Sequence, residues 1–375
     1  MNPRCCDVLV VGGGPAGLSA AIALRLQGAD VVVAEALAPP IDKACGEGIM
    51  PDSRRDLAAL GVELDRSMGA PFEGTLFAGA ATGHQVAARF QYGEALGVRR
   101  LKLHALLIDR AEQLGVRLLW QTRVNLSDGA APTINDEQYR YNYLIGADGQ
   151  SSRVRRWAGL EEGRLISRRF GFRRHYAIAP WSRSVEVHWG DLGQAYITPV
   201  GESEICVAVI TRHPRVHFDQ VISGIPFLAR RLSVVDSHTR QRGAITTTRS
   251  LRRVIKGNVA LVGDASGSAD AITGEGLAMG FRQAALLSQS IAAGNLRHYA
   301  AGHAGILRLP QSMSRAMLLM DRSSFLRDRA LQMLAARPVL FQKMLNVHLG
   351  EEQMSHFVAR HGLEMGWRLL VSPAS

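Results

Sequence analysis

The 375-residue chain is 47% hydrophobic and 21% charged, a balance that suits a folded protein with room for two domains and excludes a low-complexity or disordered one. Its net charge of +11 raises nucleic acid as a partner, but 40 of the 44 basic residues are arginines spread over the whole length. A phosphate-binding face would cluster them, so a basic surface without a nucleic-acid partner is the expectation.

The chain opens with the apolar run Asp7 to Val11, which suits a buried strand and leads into Gly12-Gly13-Gly14-Pro15-Ala16-Gly17 and an Ala- and Leu-rich helix from Leu18 to Leu26. Because that strand starts so early, no room is left for a signal peptide, and the cytoplasm is the expected location. Gly12, Gly14 and Gly17 fill G-x-G-x-x-G: a tight turn, close approach of a pyrophosphate, and close packing of helix on strand. The helix N-terminus offers free N–H groups to phosphate. A second apolar run, Val31 to Ala34, ends in Glu35, 18 residues after Gly17, where a carboxylate accepts hydrogen bonds from an adenosine ribose. A dinucleotide is expected here.

Next comes Lys43-Ala44-Cys45-Gly46-Glu47-Gly48, either backbone held close to a ligand or an ordinary connection, followed by a helix from Asp52 to Leu60. The four cysteines, Cys5, Cys6, Cys45 and Cys206, form no C-x-x-C pair and no disulfide framework, so no metal is expected. Short strand patterns between residues 72 and 90 leave the nucleotide domain, and a helix opened by Arg100 leads back through strands at Val116 to Trp120 and Gln121 to Val124. Tyr143 to Gly149 is another strand running into a Gly-rich turn.

Strand patterns at Arg169 to Tyr176, Ser184 to Trp189, Gln194 to Thr198 and Ile205 to Thr211, with short turns between them, predict an antiparallel sheet. A helical passage over 216–232, a buried strand from Asn258 to Asp264 and a helix from Gly274 to Gln289 follow. The tail from about Leu307 is helical, basic and Met-rich, holding seven of the 11 methionines. Helices packed on the domain, an adaptable wall for an apolar ligand and a peripheral membrane contact are its three readings; no run in the chain reaches the roughly 18 apolar residues that span a bilayer.

Three buried strands thus end in Gly-containing turns: 12–17, 146–149 and 263–276. In order and spacing they resemble the flavoprotein superfamily of p-hydroxybenzoate hydroxylase and geranylgeranyl reductase, through the N-terminal fingerprint, the motif Gly146-Ala147-Asp148-Gly149 and the motif Gly263-Asp264-Ala265-Ser266-Gly267. The chain is more similar to the geranylgeranyl reductase branch in Asp264-Ala265-Ser266-Gly267, Gly274-Glu275-Gly276 and the Lys43-Ala44-Cys45-Gly46 loop. It departs from both branches at Ala271, where they carry proline. The fold class implied is α/β (α+β overall): a Rossmann-like FAD-binding domain over 1–71, 98–160 and 250–295, an inserted antiparallel-sheet substrate domain over 72–97 and 161–249, and a helical region over 296–375.

The resemblance implies FAD as cofactor, in contact with Gly12, Gly14, Pro15, Ala16, Gly17, Glu35 and Ala36 at its ADP end. It further implies Cys45, Gly46, Arg100, Val124, Asp148, Gly263 and Asp264 along the cleft, and Gly274, Glu275, Gly276 and Leu277 near the isoalloxazine. A second G-x-G-x-x-G and a redox cysteine pair, marks of the glutathione-reductase-like enzymes, are missing from the sequence, so the expected electron donor is a transiently bound NAD(P)H or a protein partner. The expected chemistry is hydride transfer through FAD on a hydrophobic isoprenoid, polyketide or quinone. Cys45 is placed near the flavin, Glu47 is a candidate acid/base, and His188 and Tyr196 are substrate-face donors or simply satisfied strand residues. Two alternatives are an NAD(P)H-dependent monooxygenase acting on an aromatic or polyketide ring, and a non-catalytic prenyl binder of the kind the Rab GDP-dissociation inhibitors represent.

Overall fold

Val8, Leu9 and Val10 are completely buried in the strand Arg4–Val11, which runs up the middle of a parallel sheet. In sheet order the strands are Ile255–Lys256, Val259–Leu261, Glu137–Gly146, Arg4–Val11, Val31–Ala34 and Arg117–Leu119. All neighbours along this path are parallel except the short first pair. A parallel sheet is covered on both faces, which explains why these strands read as unbroken apolar runs and not as alternating ones. The computed structural model describes residues 4–127, 131–135 and 137–371.

The helices Pro15–Leu26, Arg100–Gln113 and Gly276–Ala292 pack together on one face, with Leu18, Ile22, Leu103, Leu107, Phe281 and Leu287 in a common core. Burying each of these large side chains contributes roughly 1.5–3 kcal/mol. The turn before the helix at Arg100 ends a three-stranded sheet made of Gly48–Ile49, Ala95–Gly97 and Ala70–Phe72. The expected strand at Gln121 to Val124 is shorter than its composition suggested: Gln121 sits in the left-handed region with φ 53°, and only Val124–Asn125 is extended.

A seven-stranded sheet stands beside the parallel one, in the order Arg242–Leu251, Gly163–Tyr176, Glu204–Thr211, Gln194–Gly201, Ser184–Trp189, Gly74–Gly79 and Gln85–Arg89. Its pairs are antiparallel except where Ser184–Trp189 meets Gly74–Gly79. Two short helices, Phe218–Ser223 and Pro226–Leu232, cover one face through Phe218, Val221 and Leu228. The helical passage predicted over 216–232 breaks there because Pro226 starts a new helix and has no N–H to continue the old one.

The other face carries the C-terminal helices Leu296–Arg322, Ser324–Ala336, Pro338–His348 and Met354–Val371. They turn sharply, because Ser323 caps the second (its Oγ accepts the Leu326 N–H at 3.2 Å) and Pro338 opens the third. A buried ionic knot fastens this layer down. Arg169, 1% exposed, bridges Asp270 at 3.1 Å and Asp321 at 3.3 Å, so one sheet residue holds both a loop and the end of the 27-residue helix. At the rim of the sheet, the Gln342 side chain bonds both backbone groups of Arg89: its Oε1 accepts the N–H at 3.0 Å and its Nε2 donates to the carbonyl at 2.6 Å. No helix among the described residues is long and apolar enough to cross a membrane.

Candidate functional site

Between the two large sheets lies a cavity of about 830 Å3, charged at one end and apolar at the other. The charged end starts at the glycine turn. Gly12 has φ 112°, and a Cβ there would lie 2.4 Å from the Ala147 carbonyl oxygen; at Gly17 it would lie 1.9 Å from the Gly12 oxygen. At Gly14 a Cβ would meet nothing within 4 Å. The first and third glycines are therefore demanded by the protein's own backbone, and the middle one by whatever enters the cavity. No side chain caps the helix that follows, and its first-turn N–H groups stay available for an anion.

Glu35 lies beside the turn, as its spacing predicts, but both its oxygens are already engaged: Oε2 accepts the Gly13 N–H and Oε1 the Leu37 N–H, each at 2.8 Å. A carboxylate oxygen has a second lone pair, so ribose contact stays open to it. His104, absent from the sequence reading, fixes the same turn from below. Fully buried, it bonds the Gly13 carbonyl at 2.7 Å and takes the Ile41 N–H at 3.3 Å. Desolvation holds its pKa below the usual histidine range.

The two later turns are built against the first. Asp148 lines the cavity, yet its carboxylate caps the helix Arg153–Trp157, accepting the Arg153 and Val154 N–H groups at 2.6 and 3.1 Å. Arg155, 1% exposed, joins this turn to the next by donating to the carbonyls of Gln150 (2.8 Å) and Ala265 (3.1 Å). Gly263 is left-handed (φ 59°), and a Cβ there would press within 2.7 Å of the Ala16 Cβ. Asp264 lines the cavity opposite Lys43, 3.6 Å away. Gly14, Pro15, Ala16, Ala36, Gly46, Arg100, Val124, Gly274, Gly276 and Leu277 line the same space. Gly17 and Glu275 stand behind it, Gly17 under the helix and Glu275 turned toward the C-terminal layer.

The Cys45 loop closes the middle of the cavity and is pinned at both ends. Asp42 is bound by Arg173 and, at 2.8 Å, by Arg242. Glu47, 2% exposed, accepts the Arg100 N–H on Oε1 at 2.9 Å, and its Oε2 meets His175 Nε2 at 2.7 Å. It holds φ 60°, uncommon for a non-glycine, at a cost of about 1–3 kcal/mol. Glu47, His175 and Cys206 bring their donor atoms within 4.8 Å of one another. Positive charge in that knot comes from Arg99 and Arg173, 3.8 and 4.0 Å from Glu47. Cys45 lines the cavity and its Sγ accepts the Glu47 N–H at 3.4 Å; Cys206 lies behind it, its thiol pKa pushed well up by burial.

At the apolar end, alternate residues of the seven-stranded sheet face inward: Thr75 and Phe77, Val185 and Val187, Tyr196 and Thr198. Tyr196 pairs with Val187, and Ala195 with His188. His188 therefore lies on the far face, a correction to its reading as a substrate-face donor. Its Nε2 is 2.7 Å from Glu186, and its ring stacks on Phe227 at 5.5 Å. Tyr196 does reach the cavity wall, but its hydroxyl donates to the Ile272 carbonyl at 2.9 Å, and desolvation pushes its pKa up. It braces the loop before Gly274. The facing wall is supplied by the tail: Met313, Met317, Met320, Phe341, Met344 and His348. Sequence composition pointed to these methionines; nothing local marked His348, Arg169 or Arg173, whose carboxylate partners lie more than 70 residues away.

Residues 5–298 match the protein family described as "FAD binding domain". The chain is 25% identical over 324 residues to the digeranylgeranylglycerophospholipid reductase of Methanothrix thermoacetophila, covering 77% of this chain and 78% of that one. It is 33% identical over 162 residues to the rifampicin monooxygenase of Streptomyces venezuelae, covering 41% of this chain and 34% of that one, so the chain spans about a third of that relative's length. Among solved structures, a flavoprotein/dehydrogenase from Cytophaga hutchinsonii superposes with a TM-score of 0.81 at 17% identity, over 98% of each chain, which shows a shared fold.

Proposed function

This chain belongs to the FAD binding domain family, and we propose that it is an FAD-dependent oxidoreductase of the reductase or dehydrogenase type that exchanges hydride with a neutral hydrophobic molecule. The observation that carries this reading is the single cavity that runs from the glycine turn to the Met-rich wall, so that a cofactor at one end and an apolar ligand at the other share one enclosed space.

The charged end fits FAD. Open space lies beside Gly14, Gly149, Gly274 and Gly276, where a Cβ would meet no atom within 4 Å, and two uncapped helix N-termini, at Pro15 and Gly276, border it. Gly12, Gly14, Glu35 and Arg100 would hold the ADP end, and Asp264 the ribityl chain. FAD supplies the two-electron exchange. The protein's own part is to orient both partners, exclude water and move a proton. The positive end of the helix Gly276–Ala292 favours an anionic reduced cofactor. NAD(P)H is the proposed electron donor.

Phe77, Val185, Val187 and the tail methionines recognise shape and apolar area and offer no charged partner to a substrate. An isoprenoid, polyketide or quinone suits them. The breadth of likeness to the lipid reductase supports the reductase reading. The second reading, a monooxygenase, draws on the local identity to the rifampicin enzyme and on the same dry pocket.

One experiment separates them. FAD-loaded protein is reduced anaerobically and mixed with menadione, with an isoprenoid alkene, or with oxygen plus an aromatic acceptor. Reoxidation by the quinone or alkene without oxygen supports the reductase. Reoxidation only by oxygen, with a hydroxylated product, replaces it with the monooxygenase, and colourless protein that cannot be loaded with FAD returns the non-catalytic binder.

A further inference from the structure

Glu275 sits between Gly274 and Gly276 at the N-cap position of the helix Gly276–Ala292, yet its side chain makes no capping bond and turns away from the open space beside those glycines. It is 7% exposed, and its Oε2 has no hydrogen-bond partner. An orphaned buried carboxylate oxygen is costly unless a neighbour compensates. The neighbour is His348, whose Nδ1 lies 3.7 Å from that oxygen. His348 ends the helix Pro338–His348, where the dipole favours an imidazolium, and it lines the cavity itself.

Resting on the FAD-dependent reading above, we propose that His348 is the proton-transferring residue of the cavity and that Glu275 positions it. With Nδ1 turned to Glu275, Nε2 is left for the substrate. In reduction of a polarised carbon–carbon double bond, one carbon would receive a hydride (a proton carrying two electrons) from bound, reduced FAD, and as the π bond breaks its electron pair takes the proton of Nε2 onto the other carbon. The imidazole left behind is neutral and regains its proton from water. Because His348 lies outside the residues 5–298 that the family shares, the proton donor is supplied by this chain's own C-terminal layer.

The surrounding charges support the pairing. Burial raises the Glu275 pKa, while His348, Thr273 and Arg282 pull it back and Asp52 adds to the rise. Arg282 is itself held by Asp52 and by Asp56 at 3.2 Å, and beyond the helix Lys343 pairs with Glu352 at 3.4 Å. His348 is thus the basic side chain paired with Glu275 at the cavity wall.

The test uses the full chain. By NMR, with H348Q to assign the imidazole, the pH dependence of the His348 ring signals should differ between the wild type and E275Q. Independently, FAD-loaded and reduced protein is mixed anaerobically with menadione across pH. H348Q should reoxidise roughly 100-fold more slowly and lose the ionisation, H348N should behave alike, and added imidazole should restore rate to both. E275Q should shift the inflection to lower pH with a smaller loss. An unchanged His348 titration in E275Q, or H348Q within threefold of wild type with its inflection intact, overturns the inference. If the NMR coupling holds and the wild type is still not reoxidised by menadione, the function proposed above fails and the pair of residues stands.

Discussion

The two ends of the cavity are specified in different ways. At the charged end the chain makes its contacts with backbone: Gly12 and Gly17 exist because a Cβ would strike a carbonyl oxygen 2.4 or 1.9 Å away, and Asp148 and Glu35 bond to peptide N–H groups. At the apolar end the contacts are side-chain shape, from strands and helices brought together from residues 75 to 348. A backbone-built site tolerates almost no substitution and leaves fixed spacings in sequence. A shape-built site tolerates many and leaves only composition.

Four experiments sharpen or break that contrast. The largest effect belongs to the glycines. G17A should destabilise the protein by more than ~4 kcal/mol or prevent folding, because helix and turn cannot separate to admit a methyl group. G14A should leave the thermal midpoint of the FAD-free protein unchanged and weaken FAD binding at least about tenfold. Equal melting losses in the two variants would remove the distinction. Next is Arg169, which joins the tail to the sheet. R169M strands Asp270 without its cation, leaves Asp321 only Arg212 at 3.9 Å, and should cost about 3–5 kcal/mol in denaturant unfolding.

The third concerns pH. Burial pushes the His303 pKa down to about 4, and its Nε2 lies 2.9 Å from the Ser266 hydroxyl beneath the third glycine turn. A histidine kept neutral in the fold binds its proton more readily when unfolded, so stability is full above about pH 6.5 and is lost as pH falls toward 4, by roughly 3 kcal/mol. H303Q should flatten the melting profile across that window; an unchanged slope would mean that His303 is not the group responsible. The smallest effects belong to the apolar end and its far side. M320A should alter the affinity for hydrophobic ligands several-fold while leaving FAD binding alone. H188Q, on the outer face, should leave turnover within about twofold, and a large loss there would return His188 to the site.

The sequence carried the first end well because its constraints are local. Three glycines and Glu35 lie within one strand-turn-helix-strand unit, and the short turns between closely spaced strands marked the antiparallel sheet. Face assignment was harder. His188 and Tyr196 lie in neighbouring strands, and without the register that pairs Tyr196 with Val187 nothing decides which of them points inward. Asp148 was read as a cofactor contact through its motif, and it does line the cavity; what the motif did not reveal is that its carboxylate also serves the following helix. Arg169, Arg173 and His348 were invisible because their meaning lies wholly in partners distant along the chain.

Gln342 adds a consequence of another kind. By answering both backbone groups of Arg89, it stands in for the missing neighbour of the outermost strand Gln85–Arg89. An open strand edge is a template on which another copy can polymerise. The tail is therefore also a guard against self-association, and a chain cut short before Pro338 would lose solubility through its unprotected rim as well as losing the wall of its cavity.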